Sequence, residues 1–152
     1  MQSLSNENLS VVIPTYNRAS FLDFSLKVHI PIFQKYNIPI IISDNASNDH
    51  TLKVIKKWKE KYSLIEYQVN LETVSADKNI ETALKLSESK YTWLLGDTYY
   101  LPLELVEKVL ILANDCNDDM IICNLSGKLS IPSQKYTDQN KLLIDIGSLM
   151  TG

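Results

Sequence analysis

The sequence predicts an α/β fold in which helices cover both faces of a mainly parallel sheet, giving three α/β/α layers. Short runs rich in β-branched residues alternate with longer amphipathic stretches, in the order β-α-β-α-β-α-β-α-β. The runs Leu9–Ile13 and Ile38–Ile42 are almost entirely apolar, which is typical of parallel strands buried on both faces. A polar cluster follows each of these strands, at the edge where open α/β sheets bind ligands.

The composition is that of one ordinary globular domain. The chain has 152 residues, 45% hydrophobic and 22% charged, which is enough for a real core. A net charge of -3 gives no sign of a nucleic-acid partner. Cys116 and Cys123 lack metal-site or disulfide-framework spacing, so we expect a reducing, cytoplasmic setting. Signal-peptide features and long apolar runs are absent, so we expect any membrane association to be peripheral, at the inner face, or to need a segment not present in this sequence.

The positions of the glycines exclude two common phosphate-binding loops. The four are Gly96, Gly127, Gly147 and Gly152, so none precedes position 96. A dinucleotide-binding GxGxxG loop and a Walker A loop both need glycines early in the fold, where backbone approaches phosphate. A phosphorylated ligand of the N-terminal half must therefore be neutralised by side chains or by a metal.

The first strand is followed by a polar loop and a long helix. Pro14 should end the strand, because proline cannot donate to a central ladder. The loop Thr15–Arg18 then lies at the carboxyl end of the strand. Ser20 and Asp23 form a capping-box pattern, which predicts a helix from there to about Tyr36.

The second strand ends in a dense cluster of small polar residues, Ser43–Asp49. Asp49 or Ser47 can cap the next helix, Thr51–Tyr62, which carries an apolar stripe. Alternation of apolar and polar residues then predicts a third strand at Leu64–Val69.

The second half of the chain continues the alternation. The predicted elements are a helix at Ala76–Ser89, a strand at Tyr91–Leu95, a helix at Leu103–Asn114 that begins after Pro102, and a fifth strand at Met120–Cys123.

Beyond Asn124 the pattern weakens. Ser126–Asn140 is predicted to be a loop or an edge hairpin, and Lys141–Met150 a short helix. The chain stops in what looks like an unfinished element, so we expect a truncated chain or the N-terminal part of a larger enzyme. We therefore predict an α/β domain over residues 1–125 and the incomplete start of a second region over residues 126–152.

Four polar segments follow the predicted strands. Because parallel strands bring their carboxyl ends to one edge, these segments should converge on a small-molecule site. The segments are Thr15–Arg18, Ser43–Asn45, Asn70–Asn79 and Gly96–Asp97. By contrast, His29 and His50 have no partners at ligand spacing, and His29 is predicted at the helix surface or the edge of the core.

The motifs in and around these segments carry a family resemblance. They are VVIPTYNR (Val11–Arg18), IISDNASNDHT (Ile41–Thr51), Asn70 with SADKNIETAL (Ser75–Leu84), and WLLGDTYYLP (Trp93–Pro102). In this order and spacing, over about 120 residues, the chain resembles the N-terminal, nucleotide-sugar-binding part of a family 2 glycosyltransferase with the GT-A fold.

The resemblance implies an enzyme that transfers a sugar from a nucleotide-diphosphate sugar, UDP-linked by preference, to a saccharide or lipid-linked acceptor. Its setting would be bacterial surface-polysaccharide synthesis, and its type an inverting hexosyltransferase. By the resemblance, Tyr16 would help line the base pocket, Asp44 would bond the pyrimidine edge, and Asp97 would lie near the ribose and a metal. The implied nucleotide-binding residues are Pro14, Tyr16, Arg18, Asp44, Asp77, Asn79 and Asp97.

Two departures from the family pattern leave a second hypothesis open. Where the family usually has DDD or DXD, this chain has Asp97-Thr98-Tyr99, so an Mn²⁺ or Mg²⁺ site at Asp97 lacks its second carboxylate. No residue of this chain matches the family's general base, and the catalytic residue is therefore unassigned. The alternative is a non-catalytic nucleotide- or partner-binding domain derived from the same family.

Overall fold

The computed structural model describes residues 4–121, 135–138 and 140–142. The chain divides into two compact units, Met1–Asn117 and Asp118–Gly152. The first unit contains the sheet and its helices. Its elements are β1 (Leu9–Thr15), α1 (Ala19–Tyr36), β2 (Ile40–Asp44), α2 (Thr51–Lys61), β3 (Ile65–Val69), α3 (Ala76–Lys85), β4 (Tyr91–Leu94) and α4 (Leu103–Asp115).

The four strands form one parallel sheet in the order β3-β2-β1-β4. Strand β1 is central, with Thr15 paired to Asp44 of β2 and Val12 paired to Leu94 of β4. The carboxyl ends of β1, β2 and β4 therefore meet at one edge of the sheet. The α/β fold and the parallel sheet predicted from the sequence are confirmed.

Both faces of the sheet are covered, as expected of three layers. Val12 and Ile41 pack against Ala83 of α3 on one face. Neighbouring strand residues point to the opposite face, and there Val11 and Ile42 are equally inaccessible to solvent. Apolar residues at successive positions of β1 and β2 are therefore all in the core.

Strand β1 continues through Pro14 to Thr15, so the prediction that proline ends the strand is wrong. The Val11 N–H donates to the carbonyl that precedes β2 (2.9 Å), so alternate nitrogens of β1, including that of Pro14, point toward β4. Pairing with β4 has already ended at Val12 and Leu94. Pro14 therefore removes no bond from the ladder.

The start of α1 also differs from the prediction. The helix begins at Ala19, and neither Ser20 nor Asp23 caps it. Asp23 instead accepts hydrogen bonds from Trp58 Nε1 and Lys57 Nζ, both at 2.6 Å, and so joins α1 to α2. A tertiary contact has taken the carboxylate that the local pattern assigned to a capping box.

Asp49 bonds to the first residue of two helices. Its Oδ1 accepts from the Thr51 N–H (2.8 Å) and hydroxyl (2.5 Å) at the start of α2. The sequence offered Asp49 or Ser47 as the cap of this helix; the N-cap position is His50, and Asp49 bonds the first turn from one residue before it. Its Oδ2 accepts from the Ala19 N–H (3.1 Å) at the start of α1, 30 residues away in sequence. One carboxylate thus accepts from otherwise unpaired N–H groups at the N-terminal ends of two helices, α1 and α2.

Replacing Asp49 by alanine should destabilise the protein by about 1–4 kcal/mol, because two helix-start bonds are lost and each lost cap costs roughly 0.5–2 kcal/mol. Asp49→Asn retains only one acceptor oxygen, so it should lose roughly half as much. Urea unfolding followed by circular dichroism measures both variants against Glu60→Gln, an exposed change on α2. Equal stability of Asp49→Ala and wild type would show that neither bond contributes.

The C-terminal predictions fall largely beyond the described residues. Met120 and Ile121 lie in no strand, and the rest of the predicted fifth strand is outside the described residues. Residues 140–142 are helical, and the remainder of the predicted helix at 141–150 is likewise outside. No helix in the described part of the chain is long and apolar enough to span a membrane.

Candidate functional site

A cavity of about 330 Å³ lies at the carboxyl edge of the sheet. This volume is at the lower end of the range for small-molecule pockets, roughly 300–1,000 Å³. Its walls come from the end of β1, the start of the loop after β2, the loop after β3 and the first turns of α3. The lining residues are Pro14, Thr15, Tyr16, Asn45, Thr73, Val74, Ala76, Asn79 and Ile80.

Tyr16 presents an accessible aromatic ring at the cavity and is 44% exposed. The next residue, Asn17, has a φ of 51°, a left-handed conformation that asparagine adopts more readily than most residues. Its N–H donates to Ser47 Oγ, and its side-chain oxygen accepts from the Asn48 N–H, both at 2.8 Å. The loop that carries Tyr16 is therefore fastened to the loop after β2.

A network of buried amides builds the opposite wall. Asn45 Oδ1 accepts from Asn70 Nδ2 (3.0 Å) and from the Val74 N–H (2.9 Å). Asn45 Nδ2 donates to the Val74 carbonyl (2.8 Å). These bonds hold the loop after β3 against the end of β2. Asn45 lies in one of the four polar segments predicted to converge on the site, but it was not among the seven residues that the family resemblance implies.

Asn79 belongs to the same network. Its Oδ1 accepts from Ser43 Oγ (2.8 Å) and Asn70 Nδ2 (3.1 Å), and its Nδ2 donates to the Ser43 carbonyl (3.1 Å). Asn79 therefore lines the cavity as predicted, but most of its hydrogen-bonding capacity fixes α3 to β2. In its side-chain amide, the second hydrogen on Nδ2 is the one not used in these bonds.

Asp44 is completely buried at the end of β2. Its Oδ1 accepts from the Ser47 N–H (3.1 Å), while its Oδ2 has no hydrogen-bond partner in the described structure. An unpaired buried oxygen costs roughly 1–3 kcal/mol, which favours a functional reason for its retention. Because Oδ2 is closed to solvent, a ligand N–H can reach it only after a local rearrangement.

Asp97 follows β4 and is 9% exposed. Burial raises the pKa of Asp97, and the Arg18 charge and the Thr15 hydroxyl oppose that effect. Thr15 Oγ1 donates to Asp97 Oδ2 (3.4 Å), and Arg18 Nη1 lies 3.9 Å from Oδ1. Since Thr15 also lines the cavity, it connects the cavity wall to this carboxylate.

Gly96 allows the turn that carries Asp97 to close. The Tyr99 N–H donates to the Gly96 carbonyl (3.1 Å). A Cβ at position 96 would lie 2.8 Å from Cδ2 of the Tyr99 ring, which folds back over this residue. The ring would have to move for any other amino acid to fit.

The structure separates the seven predicted residues into groups. Pro14, Tyr16 and Asn79 line the cavity. Arg18, Asp44 and Asp97 do not line the cavity; Arg18 pairs with Asp97, and Asp44 is completely buried. Asp77 is exposed in the first turn of α3 and does not line the cavity. All seven predicted residues, Pro14, Tyr16, Arg18, Asp44, Asp77, Asn79 and Asp97, lie in the part of the chain that the structure describes.

The protein groups at Asp97 do not by themselves fit a divalent metal. Among the described residues, no three His, Cys, Asp or Glu side chains lie together as a metal site needs. Mg²⁺ and Mn²⁺ prefer several oxygen ligands, of which the protein usually supplies one or two carboxylates and a bound phosphate supplies others. Here Asp97 is followed by Thr98 and Tyr99, and its own charge is already partly paired with Arg18.

Alignment with solved structures shows that the fold is that of the GT-A glycosyltransferases. The mannosyltransferase PcManGT from Pyrobaculum calidifontis, solved with GDP-Man and Mn²⁺, aligns with a TM-score of 0.60 and 19% identity over 74% of this chain and 36% of its own. Staphylococcus aureus TarS 1–349, solved with UDP-GlcNAc, aligns with a TM-score of 0.58 and 18% identity over 72% of this chain and 32% of its own.

The chain belongs to glycosyl transferase family 2, whose model matches residues 10–146. It is 37% identical over 91 residues to abequosyltransferase RfbV of Salmonella typhimurium, covering 58% of this chain and 27% of that protein. It is 29% identical over 146 residues to the poly(ribitol-phosphate) beta-N-acetylglucosaminyltransferase TarP of Staphylococcus aureus, covering 92% of this chain and 44% of that protein. The chain thus spans less than half the length of these relatives.

Proposed function

We propose that this chain is the nucleotide-sugar-binding part of a glycosyltransferase. The observation that carries the proposal is the cavity at the carboxyl edge, lined by Tyr16 and Asn79 and connected through Thr15 to the buried Asp97. Membership of a glycosyltransferase family supports it. The donor is a UDP-linked sugar, and the acceptor is a saccharide or a lipid-linked saccharide of a bacterial surface polysaccharide, assembled at the cytoplasmic face of the membrane.

The cavity binds the base and ribose of the nucleotide. Tyr16 stacks on the base, an interaction worth roughly 1–3 kcal/mol for an aromatic side chain. The free Oδ2 of Asp44 accepts the pyrimidine N–H after a local rearrangement, because a carboxylate oxygen is an acceptor only. Asp97 accepts a hydrogen bond from a ribose hydroxyl, and Thr15 and Arg18 hold it in place.

The diphosphate lies on the solvent side of Asp97. Arg18 is half exposed there, and Lys78 on α3 is an exposed cation whose ammonium bonds Glu81 (2.8 Å). We expect little dependence of nucleotide binding on Mn²⁺ or Mg²⁺, because Asp97 is the one carboxylate of its turn. Any divalent cation at Asp97 would take most of its ligands from the diphosphate itself.

Sugar transfer needs a general base, and no described residue is assigned that role. In an inverting reaction the acceptor oxygen attacks the anomeric carbon, its proton passes to a general base, and the bond to the diphosphate breaks. We assign that base and the acceptor site to the acceptor-side region, of which residues 126–152 are the predicted start. We keep the predicted bounds of the donor-binding domain, residues 1–125, of which Met1–Asn117 form one compact unit.

A non-catalytic nucleotide- or partner-binding role is the second candidate. The observation that favours it is Thr98-Tyr99 in place of a second carboxylate. The two candidates differ in one measurement. Release of UDP from a UDP-sugar in the presence of a saccharide acceptor, by the longest available chain, supports the enzyme, whereas UDP binding without turnover supports the second role.

Titration calorimetry with UDP, with and without Mn²⁺, tests the proposal. Wild type should bind UDP under both conditions, and Tyr16→Ala should weaken binding by about 5- to 150-fold, the equivalent of the stacking energy. Leu71→Ala is the matched control, since Leu71 is fully exposed in the loop after β3. Absence of binding by wild type under both conditions would overturn the nucleotide site.

A further inference from the structure

We propose that His29 is a positioning residue, whose neutral imidazole fixes the segment Gly96–Leu101 and thereby the orientation of Asp97. His29 lies on α1, far along the chain from this segment, and the sequence predicted it at the helix surface or core edge. The structure corrects this, because His29 is only 1% exposed. The link to UDP binding rests on the proposed function, whereas the attachment of Leu101 to His29 is tested independently by amide hydrogen exchange.

Both ring nitrogens of His29 have assigned roles. Nε2 lies 2.9 Å from the Leu101 nitrogen, whose N–H donates to it. A nitrogen that accepts a hydrogen bond carries no proton, so the neutral ring has its proton on Nδ1. Nδ1 donates to the Ser25 carbonyl (2.8 Å), and the Ser25 hydroxyl oxygen also lies 3.2 Å from it. The helix thus selects the tautomer that the segment requires.

The segment is held at both ends. Just before it, the Leu95 N–H donates to the Val12 carbonyl of β1 (2.9 Å). At its end, Leu101 is completely buried and bonded to His29. The Tyr100 ring stacks on His29 with centroids 5.9 Å apart. Asp97 lies between these two attachments, so its position depends on both.

Loss of the His29 acceptor would leave the buried Leu101 N–H without a partner. A buried unpaired donor costs roughly 1–3 kcal/mol, and the segment can avoid that cost only by moving Leu101 toward water. Such a movement shifts Asp97 relative to Thr15 and Arg18. Small displacements of a binding group are sufficient to reduce its contribution strongly.

The attachment depends on the protonation state of His29. Burial lowers the pKa of His29, and the hydrogen bond to the Ser25 carbonyl opposes that effect only in part. Among the described residues, the ring contacts Ser25 and Phe33 of α1 and Leu101 and Tyr100 of the segment, and no carboxylate, ammonium or guanidinium group is among these contacts. The imidazolium has no lone pair at Nε2 and cannot accept from Leu101.

The pH dependence has a definite sign. The unfolded chain takes up a proton on His29 near pH 6.5, whereas the folded chain does so only at lower pH. Stability from the neutral ring is therefore complete above about pH 6.5 and is lost as the pH falls toward the lowered folded-state pKa.

The test compares His29→Phe and His29→Gln in the 152-residue chain. Phenylalanine keeps an aromatic ring between Phe33 and Tyr100 but has no acceptor, whereas the glutamine side-chain oxygen can reach the position of Nε2. Amide hydrogen exchange at Leu101 and the Kd for UDP are measured on folded samples at pH 7.5. For His29→Phe we expect exchange at Leu101 to be about 5- to 150-fold faster and UDP binding to be weaker. For His29→Gln we expect smaller changes in both.

Three results would overturn the proposal. An unchanged rate of exchange at Leu101 in His29→Phe would show that His29 does not hold this segment. Equal increases in exchange in His29→Phe and His29→Gln would show the same. Faster exchange with unchanged UDP affinity would remove the link to Asp97. If wild type binds no UDP but the exchange pattern is as expected, the attachment stands and only the nucleotide proposal fails. In wild type, the free energy of unfolding should also fall between pH 7 and pH 5 more steeply than in His29→Gln.

Discussion

Replacement of Asp97 by asparagine should weaken UDP binding by about 10- to 150-fold. The expected loss is that of a hydrogen bond to a charged acceptor, roughly 1.5–3 kcal/mol. Asparagine has nearly the same shape, so Thr15 and the turn at Gly96 retain a neighbour of the same size. The loss is therefore assigned to the carboxylate charge rather than to a rearranged turn.

The measurement is titration calorimetry with UDP for wild type, Asp97→Asn and Glu60→Gln, each with and without Mn²⁺. Glu60→Gln removes the same charge from an exposed position on α2 and should bind like wild type. The ratio between wild type and Asp97→Asn should be nearly the same with and without the metal. Tighter binding by Asp97→Asn would instead place the carboxylate against the diphosphate and contradict the ribose assignment.

Binding should also depend on pH through Asp97. The ionised carboxylate is the acceptor, so binding is lost as the pH falls through the pKa of this group. Because burial is the largest influence and raises that pKa, the loss should begin at a higher pH than for an ordinary aspartate near 3.9. The Asp97→Asn variant should lack this part of the pH dependence.

Replacement of Phe33 by alanine should destabilise the protein by about 3–5 kcal/mol, the range for removing a buried aromatic ring. Phe33 is 0% exposed on the inner face of α1. Its ring also stacks on His29, with the ring centroids 5.5 Å apart. The space left by the deleted ring would therefore lie against His29, the residue that accepts from the Leu101 N–H. A loss of this size is a large fraction of the stability of a typical domain, about 5–15 kcal/mol.

Phe24 provides the matched control on the same helix. It is 64% exposed, and Phe24→Ala should change the free energy of unfolding by less than about 0.5 kcal/mol. Urea unfolding of both variants, followed by far-ultraviolet circular dichroism, gives the comparison. Similar losses for the two variants would show that α1 does not pack as described.

Much of the site follows from the sequence because parallel topology constrains where strand ends lie. Leu9–Ile13 and Ile38–Ile42 are recognisable as buried strands, and the polar residues after them must then share an edge. The predicted strand ends were early by two residues in both cases, since β1 reaches Thr15 and β2 reaches Asp44. Hydropathy could not show this. Whether a proline or a polar residue can lie at the end of a strand depends on which neighbouring strand its backbone N–H and C=O groups face.

The partners of polar side chains were much less predictable. Asp23 matches a local capping pattern but bonds Trp58 of another helix. Asn79 matches a nucleotide-binding motif, yet its oxygen is used by Ser43 and Asn70. Such bonds join residues far apart in sequence, and a pattern within a few residues carries no information about them.

By itself, the sequence determined the order along the chain of the first four strands and their helices, the edge of the sheet that bears the candidate site, and the family resemblance that comparison with known proteins confirmed. Hydrophobic periodicity and strand direction suffice for these features. Only the tertiary structure decided that Asp97 pairs with Arg18, that Asp44 keeps one oxygen unpaired, and that His29 holds Leu101. The reason is physical: burial and hydrogen-bond partners are set by packing between elements distant in the chain, and they govern what a side chain can bind.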